Sequence, residues 1–286
     1  MTRPVVLAVV AVLVALGLAV PGTALALGHG PRPVPPPPEH PTSADQIQNI
    51  GQVAAAIKAY YGDTVTDQVD PVTTDGKDVP LHTYGQDSAY VHEMAGIERH
   101  AERYLGHAGL SARSGTDAKK AILLDVDDTT LNTYSYEIYA NFGYNPDDNA
   151  AFVNDAIFPE VPGMPELVKQ AANEGYAVFF LTGRPDDQRP GTEKNLTDVG
   201  YPVVPNADPD NSDNVYLKGE SKPWITCDTE GDAHCTTIER KSETRRHIER
   251  DLGYDIVANF GDQYSDLEGG YADRTVKLPN PMYYLP

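Results

Sequence analysis

The sequence predicts an α/β fold: a parallel sheet whose strands are linked by helices. Two observations carry that expectation. Apolar runs at 121–124, 177–181 and 256–260 each end in a polar cluster, and they are apolar at successive positions rather than alternating, as in strands buried on both faces. Helical patterns separate them, at 164–173 with Gly175 closing it, and at 242–252 with Ser242 read as N-cap and Gly253 as the stop. Strands alternating with helices pair in parallel through right-handed crossovers, so all three polar clusters fall on one edge of the sheet.

At the N-terminus, Arg3, the apolar run 5–20 and Ala24-Leu25-Ala26 have the layout of a secretory signal over residues 1–26, cleaved near Ala26. An uncleaved anchor is the alternative, although Pro21-Gly22 interrupts the run short of the ~20 apolar residues a span needs. Residues 27–43 are proline-rich and read as an extended spacer. The folded domain is expected over 44–286. Ile47, Ile50, Ala54, Ile57 and Tyr61 recur at helical spacing, as do Tyr90, Met94, Ile97, Ala101 and Tyr104. Two amphipathic helices with core-facing stripes are therefore expected before the strand at 121–124. His92, His100 and His107 are too widely spaced along the second to share a metal.

Residues 131–160 form a cap-like insertion rich in aromatics, among them Tyr134, Tyr136, Tyr139, Phe142, Tyr144 and Phe158. Beside a nucleophile these suit either a small packed insertion or a wall on which a nucleobase or aryl group stacks. Residues 192–199 read as a helix, and 215–218 and 275–278 as two further strands. The stretch 219–240 is a polar insertion holding Cys227 and Cys235. In an exported chain this pair reads as a disulfide, worth roughly 2–3 kcal/mol for so small a loop. Asn195-Leu196-Thr197 matches a glycosylation sequon but falls inside the predicted helix.

The chemistry concentrates at the strand ends. Asp125-Val126-Asp127-Asp128-Thr129-Thr130 follows the first strand. A calcium loop of the EF-hand type would need Gly at its sixth position and Glu at its twelfth, where this chain has Thr130 and Tyr136. A carboxylate at Asp125 can attack phosphorus. A second at Asp127 can protonate the leaving oxygen and later deprotonate water. Thr182, from Thr182-Gly183-Arg184, and Lys241 can hold phosphate oxygens, and Arg184 is a further cation for that task. Asp262 and Asp266 end the fourth strand. Carboxylates gathered around a phosphate repel it unless a cation intervenes, and magnesium is the usual solution. Lys241, directly before the expected N-cap Ser242, would add its charge to a helix N-terminus.

These blocks resemble the haloacid dehalogenase superfamily of phosphatases. Gly261-Asp262-Gln263-Tyr264-Ser265-Asp266-Leu267 and Lys277-Leu278-Pro279-Asn280-Pro281-Met282-Tyr283-Tyr284 look most like its acid phosphatase branch, with the class B and class C bacterial enzymes and plant vegetative storage proteins. The resemblance implies a Rossmann-like sheet ordered 215–218, 177–181, 121–125, 256–260, 275–278. It implies Asp125 as nucleophile and Asp127 as general acid/base. Thr182, Gly183, Arg184 and Lys241 would bind phosphate. Mg2+ would be held by Asp125, Asp262 and the Asp127 backbone carbonyl, with Asp266 supporting them. Some storage proteins of the branch lack the nucleophile, and this chain keeps it.

A formal net charge of −20 over 286 residues argues against nucleic acid and anionic membrane surfaces as partners. The expectation is thus a secreted, Mg2+-dependent phosphomonoesterase acting on a small phosphomonoester, with a nucleoside monophosphate suggested by the aromatic insertion. A phosphotransferase using the same intermediate and a non-enzymatic storage or binding protein are the alternatives. Oligomeric state is not legible.

Overall fold

The computed structural model describes residues 40–43, 46–47, 49–69, 80–111, 119–219, 222–227 and 235–285. The expected signal segment 1–26 and most of the spacer 27–43 lie outside them. Residues 1–48 form one unit and 49–286 a second, and among the described residues the helices and strands named below belong to the second.

Helix α1 (Ile50–Tyr61) is capped by the Asn49 side chain, which accepts from the Gln52 amide, and stops at Gly62 with φ 65°. The expected core stripe is only half realised: Ile57 and Tyr61 are buried, whereas Ile47 and Ile50 are exposed. The helix meets the core through its last turn, where Tyr61 packs on Tyr90 and stacks on Tyr134. An antiparallel hairpin, β1 (Thr64–Val69) with β2 (Pro80–Thr83), follows. β1 is exposed along nearly its whole length, which is why no apolar pattern announces it. On α2 (Ala89–Ser111), Tyr90, Met94 and Ala101 are buried, Ile97 and Tyr104 half-buried, and the three histidines lie outside the core.

The sheet contains β3 (Lys119–Leu124), β4 (Ala177–Pro185), β5 (Val215–Lys218), β6 (Tyr254–Gly261) and β7 (Thr275–Lys277), all parallel in the order β5-β4-β3-β6-β7. That is the order the resemblance implies. Ile122 and Leu124 face one apolar cluster, shared with Met94 and Leu167, and Ala121 and Leu123 face the other, shared with Ile248 and Trp224. Both faces of β3 are thus covered, the reason its sequence is apolar without alternation.

Between β3 and β4 lie α3 (Tyr134–Tyr139), α4 (Pro146–Asn154) and α5 (Met164–Asn173). Asn145 caps α4 through the amides of Asp147 and Asp148. After β4, α6 (Arg189–Asp198) carries the sequon, and Asn195 is 1% exposed. Its side chain bonds both backbone polar groups of Phe158, so the sequon is a packing feature.

Helix α7 corrects the sequence reading. It spans Thr237–Arg250, five residues earlier than expected, because Thr236 and Glu239 form a reciprocal capping box. Ser242 is therefore inside the helix, and its hydroxyl donates to the Gly269 carbonyl at 2.6 Å. Lys241 lies in the second turn, not at the N-terminus, so its charge does not add to that of a helix end. Gly253, with φ 76°, follows the helix end as expected. Cys227 and Cys235 are disulfide-bonded.

Candidate active site

The carboxyl ends of β3, β4 and β6 open into a cleft of about 590 Å³. Asp125, Asp127, Thr182, Gly183, Arg184, Lys241, Asp262 and Asp266 all line it, so every residue selected from the strand-end motifs is brought to one place. Register explains this. Leu124 pairs with Phe180 and with Phe260, which sets Asp125, Thr182 and Asp262 one or two residues past a common level.

Past β3 the chain turns sharply. The Val126 carbonyl accepts from the amides of Thr130 and Leu131, and the Asp128 amide donates to the Leu131 carbonyl at 2.7 Å. Asp128 takes φ 53° there, a left-handed conformation that a non-glycine residue keeps only when held. Its fully buried carboxylate supplies the hold: it accepts from the Thr133 amide and hydroxyl and from the Tyr283 hydroxyl at 2.8 Å. Burial pushes the Asp128 carboxyl up to about 7, against the pull of those bonds.

Lys241 is the pivot of the floor. Its Nζ donates to Asp125 Oδ1 at 2.5 Å and to Asp266 Oδ1 at 2.7 Å, and all three side chains are buried. Burial works against the ammonium, but the two carboxylates outweigh it and hold its pKa above the ordinary lysine range. Asp266 Oδ2 accepts from the Gln263 amide. The loop carrying Asp266 is clamped from behind by Arg245, whose guanidinium donates to the carbonyls of Asp266, Glu268 and Gly270. Gly261 belongs to the same arrangement, since a Cβ there would lie 2.4 Å from that of Asp266.

Asp262 Oδ2 accepts from Gln263 and Asn280 at 2.6 and 2.7 Å. Its Oδ1 has a long 3.4 Å contact from Thr129. Burial, then the charges of Asp266 and Asp128, push Asp262 up to about 8. Oxygens of Asp125, Asp262 and Asp266 lie within 4.8 Å of one another. Three hard oxygen donors with one shared ammonium and more negative charge than it neutralises fit a divalent cation such as magnesium. Asp125 and Asp262 could hold it with an oxygen free of any short bond, whereas both oxygens of Asp266 accept at 2.7 and 2.8 Å.

Arg184 is placed differently from the sequence expectation. Its Nη2 and Nε donate to Asp127 at 2.6 and 3.1 Å, its Nη1 donates to Thr192, and it lies over the Phe158 ring. It is turned onto Asp127 rather than standing free for phosphate. Thr182 is buried, and its Oγ1 accepts from the Arg184 amide, leaving its own proton for a ligand. Gly183 is exposed in the cleft, where an added Cβ would meet nothing.

Sequence reasoning missed Asp128, Asn280, Tyr283 and Arg245 as parts of this site. Asn280 and Tyr283 sit in the C-terminal block already singled out for its resemblance, but no role for them was legible there.

The chain is 30% identical over 197 residues to acid phosphatase 1 of Solanum lycopersicum, covering 66% of this chain and 70% of that protein. It is 29% identical over 191 residues to vegetative storage protein 1 of Arabidopsis thaliana, covering 65% of this chain and 62% of that one. Among solved structures, the class C acid phosphatase from Bacillus anthracis with tungstate bound matches in fold, with a TM-score of 0.50 at 23% identity over 70% of this chain and 82% of the other. The sequence model described as HAD superfamily, subfamily IIIB (Acid phosphatase), matches residues 47–286, and the chain belongs to that family of acid phosphatases.

Proposed function

We propose that this acid phosphatase is a secreted, magnesium-dependent phosphomonoesterase working through a phospho-aspartate. The observation that carries the reading is the state of Asp125. Lys241 fixes Oδ1, while Oδ2 accepts no hydrogen bond from the described residues, and Asp125 lines the cleft. In the first step Asp125 Oδ2 bonds to phosphorus and the ester P–O bond breaks. Asp127 gives its proton to the departing oxygen. In the second step Asp127 takes a proton from water, the water oxygen bonds to phosphorus, and phosphate leaves with Asp125 restored. Arg184 keeps the half-exposed Asp127 carboxylate in place. Thr182, the Gly183 backbone and Lys241 face the phosphoryl oxygens. Asp125 and Asp262, supported by Asp266, would hold magnesium, which would supply charge neutralisation and orientation for the phosphate.

A nucleoside monophosphate suits the cleft as substrate, because Phe142, Tyr144 and Tyr284 line its outer part. Export is supported by the 1–26 pattern and the disulfide. Among the described residues no helix is long and apolar enough to cross a membrane.

The decisive experiment is a rapid acid quench of the turning-over enzyme, followed by mass analysis of the peptide carrying Asp125. A phosphoryl adduct on that aspartate is expected, together with loss of activity in EDTA and its return with magnesium. Steady turnover after exhaustive chelation would remove the metal from the scheme. N-terminal sequencing of the protein recovered from the medium tests cleavage near Ala26.

A further inference from the structure

One side chain on the cap wall has no part in that scheme. Glu137 of α3 is 8% exposed and lines the cleft. Its carboxylate has no hydrogen-bond or ion-pair partner among the described residues. Burial, then the nearby charge of Asp127, push it up to about 7. A carboxylate largely withdrawn from water and without a protein partner is costly, and this one belongs to a residue that lines the cleft.

The neighbouring donors are committed elsewhere. The Thr133 and Tyr283 hydroxyls donate to Asp128. The Tyr136 hydroxyl accepts from the Asn145 amide at 2.8 Å and donates to the Asn145 carbonyl at 3.1 Å. The cations Lys218 and Lys222 come from β5 and the stretch after it, and Lys222 donates to Asn211. Glu137 lies close to Asp127, the group that protonates the departing oxygen, so the leaving group is the part of the substrate it meets.

We propose that Glu137 selects the leaving group by accepting a hydrogen bond from a hydroxyl or ammonium that the leaving group carries near the ester oxygen. The inference rests on the phosphomonoesterase reading and adds a preference to it. A site built to satisfy a buried polar group discriminates against a ligand that leaves that group unpaired.

The test is kcat/KM for phenyl phosphate, which has no such donor, glycerol phosphate, which has hydroxyls, and phosphoethanolamine, which has an ammonium. Wild type, Glu137→Ala and Glu137→Gln are compared. Glu137→Ala should lower the ratio of the preferred donor-bearing ester to phenyl phosphate by roughly 10- to 100-fold. Glu137→Gln keeps an acceptor but no charge, so it should retain most of the ratio if the hydroxyl is recognised and little of it if the ammonium is. All three esters falling together, with the ratio unchanged in both variants, overturns the proposal. Wild type that cleaves phenyl phosphate alone also overturns it and leaves the phosphatase reading standing. Wild type that cleaves none of the three but hydrolyses a nucleoside monophosphate overturns this inference alone, and wild type that cleaves no phosphomonoester refutes that reading and this inference with it.

Discussion

The floor of the cleft and its cap wall are built on opposite principles. On the floor, ionic groups are tied to partners inside the protein: Lys241 to Asp125 and Asp266, Asp262 to Gln263 and Asn280, and above them Asp127 to Arg184. The cap wall is aromatic, Tyr144 is 76% exposed, and its one buried carboxylate, Glu137, is unpaired among the described residues. A preorganised floor suits chemistry that is the same for every phosphate ester. An under-satisfied wall suits recognition of what varies, the leaving group. Substitutions on the floor should therefore strike turnover on every substrate, and those on the wall should strike preference.

The largest effect tests the floor at its centre. Asp125→Asn should lower kcat by at least about 10⁴-fold while the circular dichroism spectrum stays native, since the amide keeps the shape but cannot attack phosphorus. Residual turnover near wild type would remove Asp125 as nucleophile.

Lys241→Ala comes next and should show twice. kcat/KM is expected to fall by roughly two to three powers of ten, as for one lost preorganised donor. Stability should also fall, by about 3–5 kcal/mol in denaturant unfolding of the metal-free protein, because two buried carboxylates lose their counter-charge. An active variant of unchanged stability would show that the floor does not depend on this ion pair.

Arg184→Ala should lower kcat by about 10- to 100-fold with KM within about threefold, because Asp127 loses its hold while the phosphate site stays. A rise in KM with kcat intact would return Arg184 to direct phosphate binding.

The smallest effects belong to the wall. Phe142→Ala should change KM by less than about tenfold, more for aryl esters than for alkyl esters. A pH effect is shared by the wall and the floor, where Asp128 and Asp262 are pushed up to about 7 and about 8. Glu98, about half buried on α2, and Glu137 are both pushed up to about 7 from the usual 4.5, chiefly by burial. With folded values above unfolded ones, the native state binds more protons than the unfolded chain between about pH 4.5 and 7. Stability is then greatest at the acid end and falls as pH rises through that window. Tm of the metal-free protein should drop from pH 5 to 7.5, and Glu137→Gln should flatten the drop. A Tm that rises over that range would contradict the assignment.

What the sequence could disclose depends on where each signal is local. A parallel strand buried on both faces must be apolar throughout, so 121–124, 177–181 and 256–260 declared themselves, and the topology rules then sent Asp125, Thr182 and Asp262 to one edge. β1 and α7 show the limit. β1 is nearly all exposed and carries no pattern. The capping box at Thr236 and Glu239 outweighed the serine six residues later, because a helix starts where its free amides find partners. Which partners the charged groups take is a tertiary matter. Arg184 on Asp127, Tyr283 on Asp128, 155 residues apart in the chain, and Glu137 with no partner among the described residues depend on distances that exist only after folding. The sequence by itself determined the sheet, its catalytic edge and the residue types on it. Only the tertiary structure decided which of those charges were neutralised within the protein and which were left for a ligand, because burial and the proximity of another charge are properties of the packed molecule.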